Sequence, residues 1–499
     1  MSTALYWFRN DLRLHDNPAF MQACAQSEAL LPVFCLGSAS AVHNGDPRWG
    51  ALPASPHRQR VLLDTLIDLD AQLRALGSAL TVVSGTPADV LPQLGAALGA
   101  WAVERSAQVK GGARRAGDTQ RDALPPRLPG TCTVHCEAIA APYEQNELDQ
   151  LRQAGMEVSS RWQSSLYAPE ALPFALGAWA AERSAQVKGG ARRAGDTQQN
   201  ALPPRLLAEL PPVYSRFRQL LAKAGTRPVA PLPPPAQLPP LPQAAHGFAT
   251  VNLAQQLHSL GAPKPEPRAS VPYLDPAFAG GERAALAHLV RYFASDLPPN
   301  YKATRNGLTG TDFSSKCSMW LASGALSVRQ LAAGIDRFDG RHGPNEGTEW
   351  LRLELLWRDY FRFLQLQHGA KLFRYRGLRD TVPAPQHDPA QFTRWCQGRT
   401  PEPLVNAAMH ELLSTGYLSN RLRQVVASYW IHDLQGDWRA GAAWFEAQLI
   451  DYDVYNNQGN WLYIAGMGTD PRGGRRFNVQ KQAHDHDPDQ SYQRLWQQA

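Results

Sequence analysis

LIDYDVYNNQGNW, residues 449–461, places polar side chains in an otherwise apolar region with the pattern of a helix. Asp451 and Asp453 are two residues apart there, and Asn456, Asn457 and Trp461 follow within one or two helical turns. Carboxylates inside such a region need positive partners, because an unpaired buried charge is costly. The stretch therefore predicts a helical domain that encloses a polar site.

Arginines on two other apolar stretches are the available partners. In LELLWRDYFRF, residues 353–363, Glu354 and Arg358 are four positions apart on one helical face. An exposed ion pair between them is one interpretation, and an inward-facing arginine is the other. LSNRLRQVVAS places Asn420 and Arg423 on neighbouring turns of another apolar helix. Both arginines are thus candidates to pair with the aspartates.

TDFSSKCSMWLASGALSVRQL, residues 311–331, has hydroxyls and a lysine just before a predicted helix. Hydroxyls, backbone N–H groups and a helix N-terminus are suited to binding phosphate. Serine-rich starts of helices also occur without any ligand, so this signal is weak alone. The candidates in this stretch are Ser314, Ser315, Lys316 and Ser318. Walker, GxGxxG, GxSxG and HExxH motifs do not occur in the sequence.

Composition and charge narrow the class of protein. The chain has 499 residues, which suggests two large domains, and it has 43% hydrophobic and 19% charged residues, as in soluble globular proteins. A formal charge of +6 permits a basic groove without demanding one. Six scattered cysteines lack the spacing of a zinc site and fit a reducing cytoplasm. We expect neither export nor a membrane span, and no metal.

The first 140 residues alternate short apolar runs with helical periodicity. Thr86 followed by Pro87 marks the start of one helix. Alternating strand and helix predict an α/β domain, a doubly wound parallel sheet, over residues 1–140. The predicted buried strands are 4–8, 29–36, 79–83 and 100–103.

One segment of the chain is duplicated. Residues 98–128 recur at 176–206 with three differences in 31 positions. Solenoid repeats are more numerous and more divergent, so this is a segmental duplication. Because the first copy already contains the predicted strand 100–103, we expect the second copy to be a surface insertion, partly helical or poorly ordered.

A proline-rich segment separates the two halves. Residues 226–242 contain eight prolines and predict a semi-rigid linker. We therefore assign residues 141–280, including the insertion, to an interdomain linker. Residues 281–499 have almost wholly helical periodicity and predict an all-helical domain.

Four motifs in this order resemble the photolyase/cryptochrome family, and most of all its DASH branch. They are WFRNDLRLHDNP (7–18), RNGLTGTDFSSKCSMWLASGALS (305–327), ELLWRDYFRF (354–363) and DWRAGAAWFEAQLIDYDVYNNQGNW (437–461). The resemblance implies an N-terminal α/β domain of the antenna type and a C-terminal helical domain that binds FAD. The residues that it implies for the cofactor are Tyr301, Ser314, Ser315, Lys316, Ser318, Glu354, Arg358, Asn420, Arg423, Asp451, Asp453 and Asn457.

The resemblance also implies catalytic residues. Glu354, Trp357 and Asn420 match residues that line the family's lesion pocket, where Tyr463 replaces a second tryptophan. Trp461 and Trp438 resemble the first two members of a tryptophan chain that reduces the flavin. The third member is missing in register, because residues 381–392 have no tryptophan and Trp395 comes too late.

The function implied is light-driven repair of cyclobutane pyrimidine dimers, chiefly in single-stranded DNA, by a monomeric cytoplasmic flavoprotein. A blue-light photoreceptor or nucleic-acid-binding regulator with little repair activity is the alternative. A third possibility is that the insertion disturbs folding or access to DNA. An antenna such as 5,10-methenyltetrahydrofolate is possible in this family, but glycine and arginine at 107–118, where relatives have carboxylates, argue against folate. Asn406 and Gln458 also depart from the family pattern.

Overall fold

The computed structural model describes residues 2–39, 42–112, 132–177, 209–261 and 264–497. Among the described residues of the first half, five parallel strands form one sheet in the order β3-β2-β1-β4-β5. The predicted doubly wound parallel sheet is thereby confirmed. The strands are β1 Thr3–Trp7, β2 Ala29–Cys35, β3 Thr81–Val83, β4 Cys132–Glu137 and β5 Glu157–Arg161.

Helices cover both faces of this sheet, as the alternating side chains of its strands require. Tyr6 packs on one face with residues of α1 (Pro18–Gln26) and α3 (Pro56–Ala75). Leu5 and Trp7 pack on the other face with residues of α4 (Pro87–Gly112) and α5 (Pro142–Gln153). Each of the central strands is therefore buried on both sides. The helices of this half are α1 Pro18–Gln26, α2 Leu36–Ala39, α3 Pro56–Ala75, α4 Pro87–Gly112 and α5 Pro142–Gln153.

The predicted strand at 100–103 is wrong, because these residues belong to α4. Leu91, Leu94, Leu98 and Ala102 are all buried at spacings of three and four, so the apolar run continues a helical face. A short apolar run by itself does not distinguish a buried strand from a buried helix. The fourth strand along the chain is instead β4. Its polar residues Thr133, His135 and Glu137 interrupt the apolar run by which the other strands were predicted.

The sheet continues past residue 140, since β5 pairs with β4 in parallel. Most of the duplicated sequence lies outside the described residues: 113–128 in the first copy and 178–206 in the second. The expectation of a surface insertion therefore stays a prediction. The described part of the first copy is the second half of α4.

The second half of the chain is helical, as predicted. Most helices begin at a side-chain cap or a proline, for example Asn345 before α12 and Pro403 at the start of α14. The helices are α6 Tyr214–Ala224, α7 Leu253–Ser259, α8 Glu282–Phe293, α9 Leu297–Thr304, α10 Ser318–Ser323, α11 Val328–His342, α12 Glu346–His368, α13 Pro389–Cys396, α14 Pro403–Thr415, α15 Asn420–Ser428, α16 Trp438–Gln448, α17 Val454–Ala465, α18 Val479–His486 and α19 Ser491–Leu495. Along the described ranges, none of the helices combines the length and the apolar character needed to span a bilayer.

The loop between β1 and α1 joins the two halves. Arg13 Nη1 donates to Gly324 O (2.9 Å), and the backbone N–H of Leu14 donates to Glu282 Oε2 (2.8 Å). Gly324 has φ +71°, and a Cβ there would lie 1.9 Å from Asn10 O. Only glycine therefore allows the helical half to approach this loop so closely.

Asp16 is a fully buried member of this joint. Its side chain accepts a hydrogen bond from Ser327 Oγ, and it pairs with Arg329 Nη1 at 3.3 Å. Asp16 also accepts a hydrogen bond from the backbone N–H of Leu232 (3.1 Å). One carboxylate thus connects the sheet domain, the proline-rich segment and α11.

Replacing Asp16 with Ala is expected to lower the free energy of unfolding by about 3–5 kcal/mol, because Arg329 is left buried without its partner. The positive φ of 45° at this position adds strain for alanine. Urea titration followed by circular dichroism measures the change. Asp149→Ala is the control, since its pair with Arg152 is exposed (58% and 41%) and contributes only about 0–1 kcal/mol. Equal destabilisation by both variants would contradict this account of the joint.

Candidate functional site

A cavity of about 530 Å³ lies inside the helical half. Its walls come from α9, the loop before α10, and helices α12, α15, α16 and α17. Of the sixteen residues singled out from the sequence, Trp438 alone does not line it. The fifteen that do are Tyr301, Ser314, Ser315, Lys316, Ser318, Glu354, Trp357, Arg358, Asn420, Arg423, Asp451, Asp453, Asn457, Trp461 and Tyr463.

Arg423 and Asp451 form a two-point ion pair on one wall. Arg423 Nη2 lies 2.9 Å and 2.8 Å from the two carboxylate oxygens, and Nε donates to Leu418 O (2.9 Å). Burial acts against the charge of Arg423, but Asp451, Tyr417 and Glu411 together raise the arginine pKa. The predicted pairing of these residues is confirmed.

Asp453 pairs with Arg362, a residue that sequence reasoning missed. Arg362 Nη2 lies 2.5 Å from Asp453 Oδ2, and both side chains are buried (3% and 8% exposed). Asp453 Oδ1 also accepts from the backbone N–H of Asn456 (2.8 Å) and so caps α17. Burial disfavours the ionised carboxylate, yet the charges of Arg362 and Arg358 lower the pKa of Asp453 below its ordinary value. Arg358 and Arg362 are four positions apart and therefore lie on the same face of α12. This spacing is the sequence signal that could have identified Arg362 as a second candidate partner for the aspartates.

Arg358 is buried and makes no ion pair with Glu354, so the interpretation as an exposed pair is wrong. The expectation that Arg358 pairs with an aspartate is also wrong, because Asp451 pairs with Arg423 and Asp453 with Arg362. Its Nη1 donates to Ser164 O (2.6 Å) and its Nη2 donates to Leu321 O (3.2 Å). Burial, with repulsion from Arg362, lowers the pKa of Arg358 to about 9. Nε of Arg358 has no partner within the described residues. The guanidinium is therefore held against the cavity wall by carbonyls alone.

The serine-rich loop forms another wall. Ser314 and Lys316 both have positive φ, 56° and 54°, so the chain makes a tight reversal before α10. Lys316 is 3% exposed, its Nζ lies 3.1 Å from the centroid of the Phe313 ring, and among the described residues it has no hydrogen-bond partner. Burial lowers the pKa of Lys316 to about 7, although Glu411 partly opposes this shift. A buried ammonium beside a cavity is a group that an anion would satisfy.

Asn457 and Trp461 project from α17. Asn457 Nδ2 donates to Ala442 O (3.0 Å), which fixes the amide and leaves its oxygen without a described hydrogen bond. Trp461 packs edge-on against Phe445, with centroids 5.2 Å apart. A Cβ at Gly441 would lie 2.2 Å from the Trp461 ring, so glycine permits the close approach of α16 and α17.

Glu354 and Trp357 line the cavity from α12. Glu354 Oε1 lies 2.8 Å from Arg305 Nη2 and 3.1 Å from Trp350 Nε1. Trp357 stacks on Tyr214 of α6, with centroids 3.7 Å apart and planes 12° apart. Arg305, Trp350 and Tyr214 were not identified from the sequence, because no local pattern marks them as neighbours of this wall.

The tryptophans do not form a simple ring-to-ring series. Trp461 is in contact with Trp395 (6.4 Å between centroids), which in turn lies 5.2 Å from Trp430. Trp438 is buried and its Nε1 donates to Tyr375 O (2.9 Å). No described ring contact joins Trp438 to Trp461.

Asn406 and Gln458, two of the departures from the family pattern, are not among the residues that line the cavity. Gln458 is buried and its Nε2 donates to Leu372 O (2.7 Å), so the side chain holds the turn after α12. Asn406 donates to Thr400 O (2.7 Å) and accepts from the backbone N–H of Thr400 (2.8 Å). Both amides satisfy local backbone groups and do not face the cavity.

Two family models match the chain. The model described as "FAD binding domain of DNA photolyase" matches residues 350–498, and the model "DNA photolyase" matches residues 4–129. The chain is 37% identical to cryptochrome DASH of Gloeobacter violaceus over 99% of this chain and 85% of that protein. It is 36% identical to a chloroplastic/mitochondrial cryptochrome DASH of Oryza sativa subsp. japonica, over 99% of this chain and 76% of that protein.

Solved structures have the same architecture. A crystal structure of a Synechocystis cryptochrome superposes with a TM-score of 0.77 and 33% identity, covering 99% of this chain and 88% of that one. A bacterial class III photolyase from Agrobacterium tumefaciens shares the fold with a TM-score of 0.68 and 23% identity, over 99% and 86% of the two chains. The chain therefore belongs to the photolyase/cryptochrome family of FAD-binding flavoproteins, and it is most like the cryptochrome DASH branch.

Proposed function

We propose that this protein repairs cyclobutane pyrimidine dimers in single-stranded DNA, using light absorbed by FAD. The observation that carries the proposal is that one cavity is lined both by residues that match the lesion pocket and by residues that match the FAD site. Glu354, Trp357 and Asn420, which match lesion-pocket residues, face the same space as the Arg423–Asp451 pair. A flavin and a damaged base bound there would be in contact.

The donor set of the cavity fits FAD. Lys316 supplies an unpartnered cation for the diphosphate, with the hydroxyls of Ser314, Ser315 and Ser318 beside it. Tyr301 closes this end of the cavity. When bound, FAD supplies absorption of blue light and transfer of single electrons.

At the other end, polar side chains surround the flavin ring. We assign Asn457 to flavin N5, because its fixed amide has both a free oxygen and a second N–H. Asp451 and Asp453 pair with Arg423 and Arg362, and they would hold the ring edge and the ribityl chain. Arg358, with its unpartnered Nε, would complete this end.

Access for the lesion favours single strands. A base must leave the helix before it reaches a cavity, and this step requires least energy where pairing is already lost. Tyr463 carries a hydroxyl where classical repair enzymes of the family have a tryptophan, and its ring meets Trp357 edge-on at 6.2 Å. We infer a more open and polar pocket that grips a dimer too weakly to extract it from a duplex.

Trp461 and Trp438 would pass electrons inward to the flavin from a reductant outside the protein, since an aromatic ring can carry a charge briefly between short hops. The missing third tryptophan makes this supply weaker in our proposal. The chain would act as a monomer in the cytoplasm. The expected lack of a folate antenna stays a prediction, because residues 113–118 of the segment on which it rests lie outside the described ranges.

A blue-light receptor that binds nucleic acid without repair is the second candidate, because Tyr463 and the incomplete tryptophan series both weaken the case for repair. The two functions differ in one measurement. The reduced protein, illuminated with a dimer-containing single-stranded oligonucleotide, should restore pyrimidines. Absence of any light-dependent restoration would favour the receptor.

Lys316→Met should separate flavin binding from stability. Loss of the ammonium lowers FAD affinity by about 10- to 100-fold, equivalent to ~1.5–3 kcal/mol for a hydrogen bond to a charged group. The flavin-free protein should be as stable as the wild type or more so, because a buried amine without a described hydrogen-bond partner is gone. FAD titration and urea unfolding measure the two effects.

Lys481→Met is the matched control for this change, because the Lys481 side chain is 72% exposed. It should leave both FAD affinity and stability unaltered. A Lys316→Met protein that binds FAD like the wild type would show that the phosphate assignment is wrong.

Glu354→Gln should reduce dimer restoration by about 10-fold or more while FAD content stays normal, since the neutral amide loses a charged hydrogen bond to the damaged base. The measurement is the count of restored pyrimidines per absorbed photon. Glu349→Gln, an exposed change on the same helix, is the control and should repair normally. Loss of FAD together with repair in the Glu354 variant would mean that Glu354 is structural.

A further inference from the structure

The carboxylate of Glu354 is held at one oxygen. Both of its described contacts end on Oε1: Arg305 Nη2 at 2.8 Å and Trp350 Nε1 at 3.1 Å. Oε2 has no described contact, and Glu354 lines the cavity. A carboxylate oxygen has acceptor capacity of its own, so Oε2 is available to a ligand.

The two groups that hold Oε1 are themselves fixed. The Arg305 guanidinium lies 5.1 Å from the centroid of the Trp350 ring, and Lys302 Nζ lies 5.6 Å from it. Lys302 also pairs with Glu346 at the start of α12 (3.1 Å). The tryptophan is thus in contact with two cations from the α9 segment, which limits its rotation.

Close packing of the two helices maintains this arrangement. A Cβ at Gly347 would lie 2.2 Å from Pro298 O and 2.3 Å from Pro299 O. The start of α12 therefore rests directly on the backbone of α9. Because Arg305 follows α9 and Trp350 lies in the first turns of α12, their separation is set by this contact.

We infer that Trp350 and Arg305 are positioning residues for Glu354, which fix Oε1 so that Oε2 accepts a hydrogen bond from the imide N–H of a damaged pyrimidine. This inference rests on the proposed repair function. Neither Trp350 nor Arg305 needs to touch the base. Their role is to set the direction of one acceptor and to keep it ionised.

The electrostatics agree with this role. Burial raises the pKa of Glu354, whereas Arg305 and the hydrogen bond from Trp350 act in the opposite direction. Tyr301 of α9 and Tyr214 of α6 also face Glu354, and its charge contributes to the raised pKa of each. Removing a donor from Oε1 therefore raises the pKa of Glu354 further, and the carboxylate becomes protonated at higher pH.

Trp350→Phe tests the inference, since it keeps an aromatic ring and removes the N–H. The acid limb of the pH profile of dimer restoration should move upward by about 0.5 to 1 pH unit, as expected for loss of one modest hydrogen bond. FAD content should not change. Trp444→Phe is the matched control, because Nε1 of Trp444 donates no hydrogen bond within the described part of the chain. Its profile should coincide with that of the wild type.

Arg305→Gln should move the acid limb of the pH profile upward by more than Trp350→Phe does. Arg305→Lys keeps a positive charge and should show a smaller upward shift than Arg305→Gln. Titration of the Glu354 carboxyl in DNA-free protein, by infrared difference spectroscopy against Glu354→Gln, reads the pKa directly. An unchanged Glu354 pKa in Trp350→Phe would overturn the inference. Failure of the wild type to restore dimers would instead contradict the proposed function, and the infrared experiment does not depend on it.

Discussion

Two arginine–aspartate pairs with buried carboxylates hold the centre of the helical half. Asp451 and Asp453 are close together in the loop before α17, but Asp451 binds Arg423 of α15 and Asp453 binds Arg362 of α12. Loss of either arginine would leave a buried carboxylate unpaired. The loop thus ties two helices that enclose the cavity, and the cap that Asp453 provides sets where α17 begins. The positions of Asn457, Trp461 and Tyr463 all follow from that start.

The same principle acts at the joint between the two halves. The WFRNDLRLHDNP motif supplies buried polar groups rather than groups that face the cavity: Asp11 receives hydrogen bonds from Tyr6 and Gln163, and Asp16 pairs with Arg329. Asp359 accepts from the backbone N–H groups of Leu166 and Tyr167 at 2.9 Å and 3.0 Å. A motif that is recognisable in sequence is here explained by packing between domains.

Sequence patterns predicted what depends on local periodicity. The helical character of the second half, three strands of the sheet and the polar stretch at 449–461, which ends in the first turns of α17, follow from spacing alone. Two strand predictions failed because contacts between distant segments decided the structure. The run at 100–103 is helical because α4 continues through it. Strand β4 was missed because it is buried by packing against α4 and α5, which its polar composition does not reveal. Partners such as Tyr214 and Trp350 have no local signature, so the sequence could name Trp357 and Glu354 but not the residues that hold them.

The stacking of Tyr214 on Trp357 bears on how the protein can be dissected. Tyr214 precedes the proline-rich segment in the sequence. Ser164, whose carbonyl oxygen accepts a hydrogen bond from Arg358, lies still further towards the N-terminus. A fragment cut at residues 226–242 would therefore lose the residues that contact Trp357 and Arg358 of α12. Independent expression of the helical half would require a chain that begins upstream of Ser164, and split-protein reassembly would have to rejoin this interface before the cavity took its shape.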